Sequence, residues 1–228
     1  MGYTYRIKCR VKEEGVPNTI KYILYASSYS LYNDFMSIFL DLRYSGRLLH
    51  GNLKSAYKHL GANDTYHTDY SVMPIIFKNV EIAPETVLVD IGCGKGRVIN
   101  FWLSKKYTNR IYGLELDPVI ASQTAAQFSK WENVKIISGD AISHLPTDGT
   151  LFYFYNPFSE EKVKDFENRL ADPSQFGKVQ IIYYNPKSLH VFDDSKWQIR
   201  YINFERDYGI KRWGRINKYH DLAIITRR

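Results

Sequence analysis

The chain has 228 residues, long enough to bury a core for one α/β domain with an appendage. Its net charge of +7 admits an acidic partner such as nucleic acid without requiring one, and its 19 tyrosines suit half-wet surfaces as well as core. Two cysteines, Cys9 and Cys93, make no disulfide framework; with no signal-like start and no apolar run of membrane length, a reduced cytoplasmic setting is expected, without a membrane.

Residues 3–12 alternate strictly. Tyr3, Tyr5, Ile7, Cys9 and Val11 point one way, and Thr4, Arg6, Lys8, Arg10 and Lys12 the other. The period predicts a half-buried strand with a basic outer face. Such a face reads as an edge guarded against pairing, ahead of a contact surface for nucleic acid. Turn chemistry follows at Glu13–Asn18. After Ser30, the spacing of Leu31, Phe35, Ile38, Phe39 and Leu42 predicts a helix that stops at Gly46. Residues 1–62 are therefore expected to form a small αβ extension packed on a main domain of residues 63–228. Tyr66–Tyr70 precedes an apolar, helix-like stretch over Val72–Val80. Thr68 and Tyr70 stand where the chain could meet a ligand, or where a helix merely starts.

The most informative stretch is Val87–Arg97, VLVDIGCGKGR. A β-branched strand ends in Asp90, and a loop follows with Gly92, Cys93, Gly94 and Gly96. Dinucleotide loops are spaced G-x-G-x-x-G so that a helix can face a pyrophosphate, but here Arg97 takes the third glycine position. Asp90 would repel a pyrophosphate and would attract an ammonium. A second strand, Ile111–Glu115, ends in a carboxylate at the spacing that holds ribose hydroxyls, with Leu116 next to it. S-adenosylmethionine carries an ammonium, a ribose and no phosphate, and is the expected cofactor. A third strand over Val134–Ala141 puts Asp140 and Ala141 where an adenine amino group is expected. A fourth, Leu151–Phe158, runs into Asn156, Pro157 and Phe158.

These motifs resemble the class I S-adenosylmethionine-dependent methyltransferases, from roughly Tyr70 to the C-terminus. Asp90, Gly92, Gly94 and Gly96 match that family's first motif, Glu115 its second, and Asp140 with Ala141 its third. The resemblance implies an α/β fold: a doubly wound, Rossmann-like sheet of seven strands with an antiparallel C-terminal hairpin strand. Helices are expected over Arg97–Lys106, Pro118–Lys130 and Ser159–Leu170, and later strands over Gln180–Tyr184, Trp197–Tyr201 and Tyr219–Thr226.

Methyl transfer from a sulfonium is an in-line displacement, so positioning in a dry pocket carries much of the catalysis. Asn156 is the expected catalytic residue: its side-chain carbonyl, with the Pro157 peptide carbonyl, would accept from an amine, and Phe158 would wall the acceptor. A strand-ending Asn-Pro is also a plain turn signal. Amino-methylating enzymes of nucleic acids carry a second proline here, which this chain lacks. Protein lysine is therefore the first expectation for the acceptor, then small molecule, then nucleic acid, with a non-catalytic binding protein as the other class. The histidines show neither i, i+4 pairs nor a cysteine pair beside them, and no metal is expected.

Overall fold

The computed structural model describes residues 3–51, 54, 56–64, 67–208 and 220–228. Tyr66 and Tyr219, at the starts of two expected segments, lie outside the described residues.

Seven strands form one sheet in the order β3-β2-β1-β4-β5-β7-β6. They are β1 Leu88–Ile91, β2 Ile111–Glu115, β3 Val134–Ser138, β4 Leu151–Phe154, β5 Gln180–Tyr184, β6 Trp197–Ile202 and β7 Leu222–Arg227. The first five are parallel to one another; β7 runs antiparallel between β5 and β6. The centre of the sheet is buried on both faces, which is why LVDI and LFYF read as continuous apolar runs. Alternate residues serve opposite layers. Tyr153, Ile182 and Tyr184 pack with Phe77, Phe101 and Trp102, whereas Phe152, Phe154 and Ile181 pack with Val163, Phe166 and Leu170.

Seven helices are described: α1 Tyr3–Glu14, α2 Val16–Leu40, α3 Met73–Phe77, α4 Arg97–Ser104, α5 Pro118–Phe128, α6 Glu160–Ala171 and α7 Phe204–Tyr208. The strand expected over residues 3–12 is corrected to helix. Ile7, Arg10, Val11 and Glu14 make one half-buried face at helical spacing, so the period-2 reading mistook a basic helix for a strand. Arg10 closes the turn with an ion pair to Glu14 and lies over the Tyr22 ring of α2. The next helix begins at Val16, well before Ser30, because Pro17 suits its first turn. It widens into a π turn at Asp41–Ser45 and ends at left-handed Gly46, where the sequence expects its stop.

The end of α2 is fixed to the sheet by a buried ion pair. Asp41 is 1% exposed and Arg97, the first residue of α4, is 5% exposed, with Oδ2 and Nη2 3.4 Å apart. Asp41 also accepts from the Leu49 amide at 2.8 Å and from the Tyr70 hydroxyl at 2.7 Å. Asn100 donates to the Leu40 carbonyl and to Tyr70, and Trp131 to the Tyr44 carbonyl. Removing one partner of such a pair strands the other charge in low dielectric. Asp41→Ala is expected to cost about 3–5 kcal/mol in urea unfolding. A loss under about 1 kcal/mol would mean that water compensates Arg97, contrary to this burial.

Candidate active site

In open α/β sheets, ligands bind beyond the carboxyl ends of the strands where strand order reverses. Here the reversal falls between β1 and β4, and a cavity of about 110 Å³ opens there. Asp90, Ile91, Gly92 and Cys93 line it from β1 and its loop, Leu114, Glu115 and Leu116 from the end of β2, and Asp140 and Ala141 beyond β3. Tyr153, Tyr155, Pro157 and Phe158 line it from β4 and the loop that follows.

The glycines answer to geometry. Gly92 has φ +71°, and a Cβ there would come within 2.7 Å of the Pro157 Cβ, so the loops after β1 and β4 touch only because position 92 is bare. Gly96 caps α4 at φ +78° against the Phe128 ring. Gly94 donates its amide to Glu115 Oε2 at 2.9 Å, tying the loop to the neighbouring strand. Gly94 and Gly96 do this behind the cavity wall and are not among its lining residues.

Two carboxyl groups share this floor. Burial, then the nearby Glu115, push Asp90 up to about 8. Burial also raises Glu115, opposed by the amides of Asp117 and Gly94. Each Glu115 oxygen accepts one amide, from Gly94 and from Asp117, which leaves lone pairs for a pair of hydroxyls. Asp140 is pushed up by burial but held below the usual carboxylate range by the Ser143 hydroxyl and amide, which both donate to its Oδ2. Cys93 is buried, and burial pushes its thiol up; it is packing rather than a nucleophile. An Asp90 carboxyl group that a cation would draw back to its ionised form, beside a Glu115 with open lone pairs, fits a ligand that brings an ammonium and a ribose, which is what S-adenosylmethionine carries.

Thr68 lines the cavity and is buried, its hydroxyl 2.6 Å from that of Tyr153. Tyr70 does not line it: its hydroxyl is held between Asp41 and Asn100, so its expected ligand contact is corrected to a structural one. Asn156 is corrected in the same way. It sits at φ +46° after β4, with Nδ2 donating to the Asn185 carbonyl at 2.6 Å and Oδ1 accepting from the Tyr183 hydroxyl at 2.9 Å. The amide therefore locks the ends of β4 and β5 together and does not face the cavity. Pro157 and Phe158 do line it, but the Pro157 carbonyl already accepts from the Asn63 amide, and Asn63 Nδ2 donates to the carbonyls of Asn156 and Phe158.

That contact exposes what the sequence reading missed. Residues 61–63 lie against the Asn-Pro-Phe loop, with Ala62 and Phe158 bridged antiparallel, and so form part of the wall. His67 and Arg97 line the cavity too; His67 Nδ1 and Arg97 Nε are buried without a hydrogen-bond partner among the described residues. Their only sequence signals were a histidine beside Thr68 and an arginine in a glycine's place. Three lysines, Lys54, Lys95 and Lys162, reach the same cavity from three segments. No group of acidic, histidine or cysteine residues that could hold a metal occurs among the described residues.

The fold is similar to that of solved methyltransferases. An RNA methyltransferase from Salinibacter ruber, in complex with S-adenosyl-L-homocysteine, superposes with a TM-score of 0.52 at 16% identity, over 71% of this chain and 93% of that one. The precorrin-6y C5,15-methyltransferase of Geobacter metallireducens gives 0.52 at 13%, over 77% and 97%. The chain has the fold of the class I methyltransferases. No family model matches it. In sequence, a probable ribosomal RNA small subunit methyltransferase A of Methanosarcina barkeri is 27% identical over 151 residues, 53% of this chain and 52% of that protein. The corresponding protein of Methanosarcina acetivorans is 30% identical over 74 residues, 32% of this chain and 27% of its own length. The chain thus matches about half, or less, of the length of these curated relatives.

Within this cavity, Glu115 is the most exacting test of the ligand. Glu115→Ala is expected to weaken S-adenosylhomocysteine by about 1–3 kcal/mol in calorimetry, the scale of lost charged hydrogen bonds. Unchanged affinity would remove Glu115 from the ligand contacts.

Proposed function

We propose that the protein transfers a methyl group from S-adenosylmethionine to a nitrogen of RNA. The observation that carries the methyl-donor half is the pairing of Asp90 with Glu115 across the glycine loop. In that reading Asp90 receives the ammonium, Glu115 the ribose hydroxyls and Asp140 the adenine, while the bound sulfonium supplies an electrophilic methyl.

The acceptor half rests on the lining beyond that floor. Tyr57, Tyr155 and Phe158 offer aromatic faces, and Lys54, Lys95 and Lys162 offer cations beside them. Aromatic faces interleaved with lysines suit stacked bases and their phosphates. Cations at the same wall work against a lysine side chain, which places RNA ahead of the protein lysine favoured from sequence. The names of the relatives from Methanosarcina support the same order. The chain's own groups at this wall position and exclude water: Pro157 packed on Gly92 stiffens the turn, and the ring of Tyr155 packs edge-on against Tyr184 and at a tilt to His220. With the Asn156 amide committed to the turn, placement rather than proton transfer by that residue is left to do the chemistry.

The test is transfer of labelled methyl into separated RNA, protein and metabolite pools. Label is expected in RNA, with a rate that falls steeply as salt rises. Changing Lys54 and Lys162 together to glutamate should lower that rate at least about tenfold, while S-adenosylhomocysteine affinity stays within about twofold. Label in protein alone would overturn the acceptor, and no label in any pool would overturn the activity.

A further inference from the structure

The catalytic reading leaves α2 unexplained. One face of this 25-residue helix is accounted for: Thr19 is buried, Ile23, Met36 and Leu40 are half-buried, and the helix end is tied to Arg97 and Asn100. The opposite face is apolar and bare. Leu24 is 66% exposed, Leu31 71% and Phe35 66%, with Val16, Ile20 and Phe39 each at half or more. Together these side chains expose several hundred Å² per copy, on the order of the roughly 800 Å² that each partner gives to a standard interface. Monomers seldom leave so continuous a patch in water.

The order of residues along that face is self-complementary. Laid antiparallel on a copy of itself and centred between Ser27 and Ser28, the helix brings Leu24 opposite Leu31, Ile20 opposite Phe35 and Val16 opposite Phe39. In the same register Lys21 falls opposite Asp34, and these are the sole charged residues of α2. Small side chains stand at the crossing point, where two backbones must come closest. Ile20, Leu24, Ser27, Leu31, Phe35, Ile38 and Leu42 follow steps of four, three, four, four, three and four residues, a rhythm that keeps one helix face along a seam. We propose that the protein is a two-fold symmetric dimer in which α2 pairs antiparallel with α2 of a second copy. A two-fold axis requires each contact to occur twice, so both Lys21–Asp34 pairs form together and hold the register. The dimer is built on the helix that Asp41 anchors to Arg97 at the start of α4.

Sedimentation of the full chain at micromolar concentration is expected to give twice the 26.7 kDa of one chain. Lys21→Glu alone, or Asp34→Lys alone, sets like charges face to face twice and should raise the dissociation constant at least about tenfold. The two changes together restore opposite charges, and the constant should return to within about threefold of the parent. Leu24→Cys with Leu31→Cys should give a disulfide-linked dimer on oxidation, whereas Leu24→Cys alone should not. Far-ultraviolet dichroism and S-adenosylhomocysteine binding report that each variant is folded. A monomer at all concentrations overturns the proposal. So does a dimer indifferent to both charge changes, or a monomer that floats with vesicles containing phosphatidylserine.

Discussion

Two acids held close together at the floor of a cavity are the constraint around which this structure is arranged. Asp90 and Glu115 end adjacent parallel strands, so the sheet itself sets their spacing. Burial makes both reluctant to ionise, and Glu115 makes Asp90 more so. Ionising such a pair is costly unless a cation compensates it. The loop between the strands can donate its Gly94 amide to one of the acids only because bare positions at 92 and 96 let it run against Pro157 and Phe128. The chemistry of the floor and the glycine pattern are therefore one requirement.

A second constraint binds the N-terminal helices to that floor. Arg97 follows the last loop glycine, and its guanidinium meets the buried carboxylate at the end of α2. The same arginine lines the cavity. Movement of α2 is thus coupled to the first turn of the helix behind the ligand loop, through one ion pair and the Tyr70–Asn100 hydrogen bonds. Residues 61–63 do the corresponding task from the other side by clasping the loop after β4.

Much of this was legible in the chain because the decisive chemistry is local. Asp90 and its glycines lie within seven consecutive residues, and the strands flanking them are buried on both faces, so their apolar runs stand out. Where partners are distant, reading failed. Asn156 is fixed by Tyr183 and Asn185, residues on a different strand end, and nothing near position 156 in sequence announces them. Tyr70 reads in sequence equally as a ligand contact or as a helix start, and its hydroxyl is held by Asp41 and Asn100, distant in the chain. The first helix was mistaken for a strand because ten residues of alternating basic and apolar character satisfy both periods, and only packing on α2 decides between them.

The central claim is that Asp90 waits in protonated form for an ammonium. A site whose carboxyl group sits near pH 8 is mostly neutral at pH 7, and pairing with a cation draws it back to the ionised form, so its proton must leave. The sign follows: proton release accompanies binding below about pH 8, and affinity rises as pH climbs toward it. Calorimetry of S-adenosylhomocysteine binding at pH 7, in buffers of different protonation enthalpy, counts that proton directly. The account predicts release of about one proton per site, lost in Asp90→Asn. Binding with no proton exchange, or with release unchanged in that variant, would contradict it.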